Sequence, residues 1–162
     1  MKYIKGDLIQ LLKDEEFDYV AHQCNCRVLE QSCSGIARAI FDNFNDAANN
    51  QNKVATSQHP HHLLGNMKES KEHVLNLYTQ YNPGRPTYGI DSFDCRISYL
   101  KEAFRRVANS IGDLRLGIPL IASGLAKDPS YDYSDEEYFR KIIAPEIEPI
   151  LKNINTTIVI WK

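Results

Sequence analysis

At 162 residues the chain has the length for one domain and not for two of ordinary size, and residues 1–162 are read as a single unit that needs no disulfide or metal staple. Its 19 basic and 21 acidic residues leave a formal charge of -2, which excludes a general nucleic-acid or membrane-surface binder. No apolar stretch approaches the roughly 20 residues of a membrane span, the opening MKYIKGDLIQ has no signal-peptide core, and the thiols Cys24, Cys26, Cys33 and Cys95 suit a reducing compartment; a cytoplasmic location is expected (the host cytoplasm if viral).

Short apolar runs alternate with longer amphipathic ones. Tyr3–Lys5 reads as an opening strand that runs into Gly6-Asp7, and Phe17–His22 as a second strand. Ser34–Phe44 has helical spacing of Ile36, Ala37, Ile40, Phe41 and Phe44. The polar segment Asp46–Asn66 reads as a loop or short helix inserted at the surface. Leu63–Lys68 and His73–Gln80 read as strands, with Asn82-Pro-Gly84 as a turn after the latter. Asp91–Ile111 carries Ile97, Leu100, Phe104, Val107 and Ile111 on one helical stripe, and Leu116–Ala122 reads as a buried strand. Ser134 and Glu137 form a capping-box pattern for a helix to about Lys152, which Pro145 and Pro149 are expected to kink or divide; Thr156–Trp161 closes the chain as a strand.

Strands separated by helices require crossover connections, hence a mixed, mostly parallel sheet covered on both faces. In such folds ligands sit at the carboxyl ends of the strands. Three strand ends carry distinctive chemistry. The first is His22-Gln-Cys-Asn-Cys26, leading to Ser32-Cys-Ser-Gly-Ile-Ala37; a glycine at a helix start lets backbone N–H groups approach an anion. The second is Pro119-Leu-Ile-Ala-Ser-Gly-Leu-Ala126, another turn able to present backbone donors. The third is Asp7, a lone carboxylate able to accept from an amino group such as that of adenine. Two such loops flanking one cleft suit a diphosphate. Cys24, Cys26 and Cys33, with His22 or with His59, His61 and His62, supply metal-ligand types, but their spacing matches no usual zinc pattern, and no metal or cofactor is expected. Cys24 and Cys26 are expected on opposite sides of their strand.

Together KGDL, VAHQCNC followed by SGIARAI, LNLYTQ, IPLIASGLA and TIVIW resemble the macrodomain family over nearly the whole chain. The resemblance implies a three-layer α/β/α fold and an ADP-ribose-type ligand. It implies that Asp7 and Leu8 lie at the adenine, that Ser34, Gly35 and Ile36 line the first loop, and that Ala122, Ser123, Gly124, Leu125 and Ala126 cradle the diphosphate. Trp161 would border the adenine, and Asn25 would contact the distal ribose. The His22–Cys26 stretch is similar to the yeast and phage-type branch of ADP-ribose-1''-phosphate phosphatases, which implies a general acid–base role for His22 and an orienting role for Asn25. A neighbouring glycohydrolase branch, which acts on ADP-ribosylated protein, implies Lys68 as nucleophile, although its partner aspartate would fall at Ala126, with Asp128 two residues late. A module that binds without catalysis is the third reading. The first loop departs from the family in lacking glycine before Gly35, which leaves Ser32 and Ser34 hydroxyls to replace backbone donors. Lys127 is expected to add positive charge near the diphosphate, and Tyr81, Asn82 and Arg85 to border the distal ribose.

Overall fold

The computed structural model describes residues Met1 to Trp161. Six strands form one sheet: β1 (Lys2–Gly6), β2 (Tyr19–Asn25), β3 (Met67–Glu69), β4 (Val74–Gln80), β5 (Arg115–Ile118) and β6 (Asn155–Trp161). Their order is β1-β6-β5-β2-β4-β3. All neighbours pair in parallel except β3, which runs antiparallel to β4. One face is covered by α1 (Leu8–Lys13), α2 (Gly35–Asn43) and α3 (Asn45–Ala55), the other by α4 (Phe93–Ile111), α5 (Asp135–Tyr138) and α6 (Ala144–Leu151). The fold is the expected three-layer α/β/α arrangement around a mixed, mostly parallel sheet.

Two separate cores follow from this layering. Leu100, Phe104, Val107, Phe139 and Ile147 pack with Leu75, Leu77, Leu116 and Ile158 on one face of the sheet. On the other, Leu8, Ile40, Phe41, Ala47 and Val54 pack with Val20, Cys24, Tyr78 and Val159. Every residue of β4 is buried, as a central strand with both faces covered requires.

The structure revises several expected boundaries. Asp46–Asn66 is not a surface insertion. Its first half is α3, whose Ala47, Ala48, Gln51 and Val54 recur on one buried face. Small and amide side chains hid that stripe, and its cap is remote: the Glu72 carboxylate accepts from the N–H groups of Asp46 and Ala47, both at 3.0 Å. The helix α1 was not foreseen; Asp7 caps it, Oδ1 accepting from Ile9 N at 2.9 Å and Gln10 N at 3.1 Å. The strand β5 stops at Ile118 because Pro119 cannot continue the ladder and Ala122 takes a left-handed conformation, φ 61°. Between α5 and α6 the coil widens into a π turn over Phe139–Ile143, closed by Ala144 N donating to Phe139 O, and so absorbs Pro145 without a break in direction. Cys24 and Cys26 face the same core, as two-residue alternation along a strand demands.

Gly117 of β5 lies against Phe17. A methyl group there would come within 2.5 Å of the ring. Gly117→Ala is therefore expected to lower unfolding free energy by about 1–3 kcal/mol, the usual cost of overpacking, read as a shifted urea midpoint with an unchanged slope.

Candidate functional site

The carboxyl ends of β2, β4 and β5 open into a cleft of about 230 Å³. Ser32 to Ala37 form one wall and Pro119 to Ala126 the other, so the two loops singled out in the sequence converge on a single cavity. Gln23, Asn25 and Gln80 form its polar floor, and Pro83 and Gly84 close one end. A second groove of about 420 Å³ continues from it and shares Gly35, Ile36, Pro119, Leu120 and Gly124. Its other lining residues are Leu8, Ala39, Asp135, Val159 and Trp161.

The electrostatics of the cleft come from backbone. Among the described residues, none that lines it is Asp, Glu, Lys, Arg or His. The N–H groups of Ala122 to Ala126 find no acceptor among the described residues, nor do those of Gly35, Ile36 and Ala37 at the start of α2. Ser34, the residue before that helix, makes no capping hydrogen bond with its side chain. Gly35 is left-handed, φ 60°, and a side chain there would meet only open space. The result is two sets of unpaired donors, one of them at a helix N-terminus, around one space: an anion nest with no resident negative charge.

Side chains, not glycines, hold the first loop. Asn25 Oδ1 accepts from Arg27 N and Val28 N, both at 2.9 Å, which aims its amide nitrogen away from that turn, on the side of Cys33. The buried Gln51 donates to Asn25 O at 3.0 Å and Val28 O at 2.8 Å. Asn52 Oδ1 accepts from Glu30 N at 2.9 Å, and Arg38 donates to Gln31 O. A buried ion pair holds the loop after β4: Arg96 Nε and Nη2 donate to the two oxygens of Asp91 at 2.9 and 2.7 Å, while its Nη1 donates to Gly84 O at 2.7 Å. The same carboxylate accepts from Tyr81 N and Asn82 N. Arg27 stacks over the Tyr81 ring at 5.5 Å on this rim.

Of the sequence-derived candidates, Asn25, Ser34, Gly35, Ile36 and Ala122 to Ala126 line the cleft, and Leu8 and Trp161 line the groove. Asp7 precedes Leu8 but does not itself line either space. His22 lies outside both. It is wholly buried, with Nε2 at 2.7 Å from Asn76 Oδ1 and its ring edge-on to Phe41, and burial pulls its pKa down to about 4. Lys68 sits on the edge strand β3 and Asp128 in the turn that accepts Ser130 N; neither reaches the cleft lining. Lys127 is engaged away from the cleft: Nζ donates to Tyr133 O at 2.8 Å and Asp135 Oδ1 at 3.1 Å. Tyr131 and Tyr133 stack on one another and pack against the core. Burial pushes the Cys26 thiol to about 12 and Cys33 to about 11, so both are protonated near neutral pH. No three His, Cys, Asp or Glu among the described residues are arranged to hold a metal, and no described helix is long and apolar enough to cross a membrane. Gln23, Gln80, Gln51 and the Asp91–Arg96 pair escaped the sequence reading; the turn signature Asn82-Pro-Gly84 and the expectation for Tyr81, Asn82 and Arg85 pointed toward that end of the cleft, although those three are not among its lining residues.

No protein-family profile matches the sequence, and no curated protein is significantly similar to it. Solved structures are. The macrodomain of Mycobacterium tuberculosis DarG superposes with a TM-score of 0.63 at 14% identity, covering 98% of this chain and 95% of its own. A Trypanosoma brucei macrodomain in complex with ADP-ribose gives 0.56 at 15% identity, covering 98% of this chain and 62% of its own. This chain has the macrodomain fold. A third macrodomain-fold likeness, to Thermosipho africanus DarTG in complex with ADP-ribose, gives 0.62 at 14% identity over 98% of this chain and 40% of that longer one. On this fold the donor-lined cleft and the apolar groove lie end to end at the carboxyl edge of the sheet, at a position where open α/β sheets bind their ligands.

Proposed function

We propose that the chain binds ADP-ribose and its derivatives, with the diphosphate between the loops at Gly35 and Gly124, the adenosine in the apolar groove beside Leu8 and Trp161, and the terminal ribose over Asn25. The observation that carries this reading is the convergence of two rows of unpaired backbone N–H groups on one uncharged cavity. A diphosphate supplies the acceptors these donors lack. ADP-ribose stands in two of the similar structures, which supports the same ligand here.

Binding is the reading the geometry favours over catalysis. A general acid must reach the bond it protonates, and His22 does not line the cleft: it is buried behind the lining residues Phe41 and Cys24, with Asn76 on its Nε2. Removal of a 1''-phosphate would fall to Asn25 and a water, since the ionisable side chains in the described lining are the thiols of Cys24 and Cys33, both raised by burial and protonated near neutral pH.

Calorimetry with ADP-ribose tests the proposal. The wild-type chain is expected to bind and Gly35→Val to lose binding, since valine strains the left-handed turn and projects a side chain into the cleft. In parallel, incubation with ADP-ribose-1''-phosphate and with ADP-ribosylated protein is expected to release neither phosphate nor ADP-ribose. Absence of heat with ADP-ribose would remove the ligand; phosphate or ADP-ribose release would replace the binding module by a hydrolase.

A further inference from the structure

Among the described residues, the groove beyond the anion nest contains one charged side chain, Asp135, which is also the only side-chain hydrogen-bond acceptor in that lining. We propose that Asp135 reads the free 2′,3′-diol of the adenosine ribose and turns away a ribose that carries a 2′-phosphate. The inference rests on the ADP-ribose reading and adds a discrimination to it.

Three features support it. First, the carboxylate already has a partner on one side before any ligand arrives. It follows Ser134, whose capping box with Glu137 sets the backbone, and its Oδ1 accepts from Lys127 Nζ at 3.1 Å. Second, its other oxygen makes no hydrogen bond among the described residues and so has acceptor capacity to spare. Third, the tether through Lys127 ties Asp135 to the loop at Gly124, on the phosphate side of the groove. Trp161 and Val159 belong to β6 and Leu8 to α1, beyond it. In a nucleotide the sugar lies between phosphate and base, so a carboxylate at this station meets vicinal hydroxyls.

The chemistry is that of a carboxylate after a phosphate loop in dinucleotide-binding folds, where it takes the ribose 2′-hydroxyl and disfavours a 2′-phosphate by like charge. Lys127 gives the arrangement a second consequence. Its ammonium is occupied by Asp135 and by Tyr133 O at 2.8 Å. Loss of the carboxylate frees that cation beside the position a 2′-phosphate would take.

The test is calorimetry on the wild type and Asp135→Asn with three ligands: ADP-ribose, its analogue lacking the adenosine 2′-hydroxyl, and ADP-ribose 2′-phosphate. Asp135 is exposed at the surface, and the variant keeps the Ser134 cap. The wild type is expected to prefer ADP-ribose over both analogues by roughly tenfold or more, the scale of a hydrogen bond to a charged group. The variant is expected to weaken ADP-ribose by a similar factor, to leave the 2′-deoxy analogue unchanged and to bind the 2′-phosphate more tightly than the wild type does. Equal weakening of ADP-ribose and its 2′-deoxy analogue would assign the carboxylate to the base and overturn the proposal. So would a variant that binds all three as the wild type does. A wild type that binds ADP-ribose without discriminating defeats this inference alone, whereas no binding of ADP-ribose defeats the functional reading beneath it.

Discussion

Arg96→Met is expected to cost about 3–5 kcal/mol of stability, the largest effect of any single substitution considered for this chain. The reason is what it leaves behind. Asp91 and Arg96 are both almost wholly buried, and the guanidinium satisfies both carboxylate oxygens and the carbonyls of Asn82 and Gly84. Methionine fills much of the volume but strands a carboxylate in the interior, with only the N–H groups of Tyr81 and Asn82 for company. Urea unfolding measures the loss. The double variant Asp91→Asn with Arg96→Met is expected to recover part of it, because the desolvated charge is gone. The loop at Pro83 and Gly84 closes one end of the cleft, so Arg96→Met is also expected to weaken ADP-ribose binding at temperatures where the chain is still folded. A single variant as stable as the wild type would show that the pair contributes nothing net.

The second large effect is an acid limb in the stability curve. His22 is neutral in the fold: burial lowers its pKa from 6.5 to about 4, against a smaller raising contribution from Asn76. Because Asn76 commits its amide N–H to Ala47 O at 2.9 Å, its Oδ1 faces the imidazole, and Nε2 is the protonated nitrogen. The sign follows from linkage. From about one pH unit above the ordinary 6.5 upward, neither state binds the proton and the full stability is present. As pH falls below 6.5 the unfolded chain takes up a proton that the folded chain refuses, and stability drops until pH reaches about 4. The whole step is about 3 kcal/mol. Asp18, held near 2 by the Arg115 guanidinium, loses its contribution progressively from about pH 5 downward, so its window meets only the acid end of the His22 limb. His22→Gln, which keeps a donor toward Asn76, is expected to flatten the limb between pH 6.5 and 4 in urea titrations. A limb of unchanged depth in that variant would assign it to other groups.

How much of this could be read from the residues depended on whether the signal was local. The helices over Ile36–Phe41 and Ile97–Ile111 were legible because one apolar stripe at helical spacing marks each, and the last strand because all five residues of the run Thr156–Ile160 are β-branched. The two loops were legible as a pair, because SGIARAI and IPLIASGLA stand in the order and spacing of the family pattern; a single glycine-containing strand-end turn is too common to mark a site. In contrast, α3 buries alanines and a glutamine and borrows its cap from Glu72, 26 residues away from Asp46 in the chain. Gln51, Asn52 and Arg96 hold the cleft through bonds to distant carbonyls and N–H groups, and no motif announces such partners. His22 shows the converse: its neighbours in the chain resemble a catalytic stretch, but only packing against Phe41 and Asn76 reveals that it faces inward.

The outer strands of the sheet bear on how the molecule behaves in company. At one border β3 offers three residues, antiparallel to the rest; at the other, β1 turns the solvated ammonium groups of Lys2 and Lys5 outward. A stub and a charged fringe give an incoming chain no straight rail to add itself to. The sheet is thereby self-limiting, and crowded solutions of this protein should resist growth into strand-linked fibrils without any cost to the opposite, ligand-facing rim.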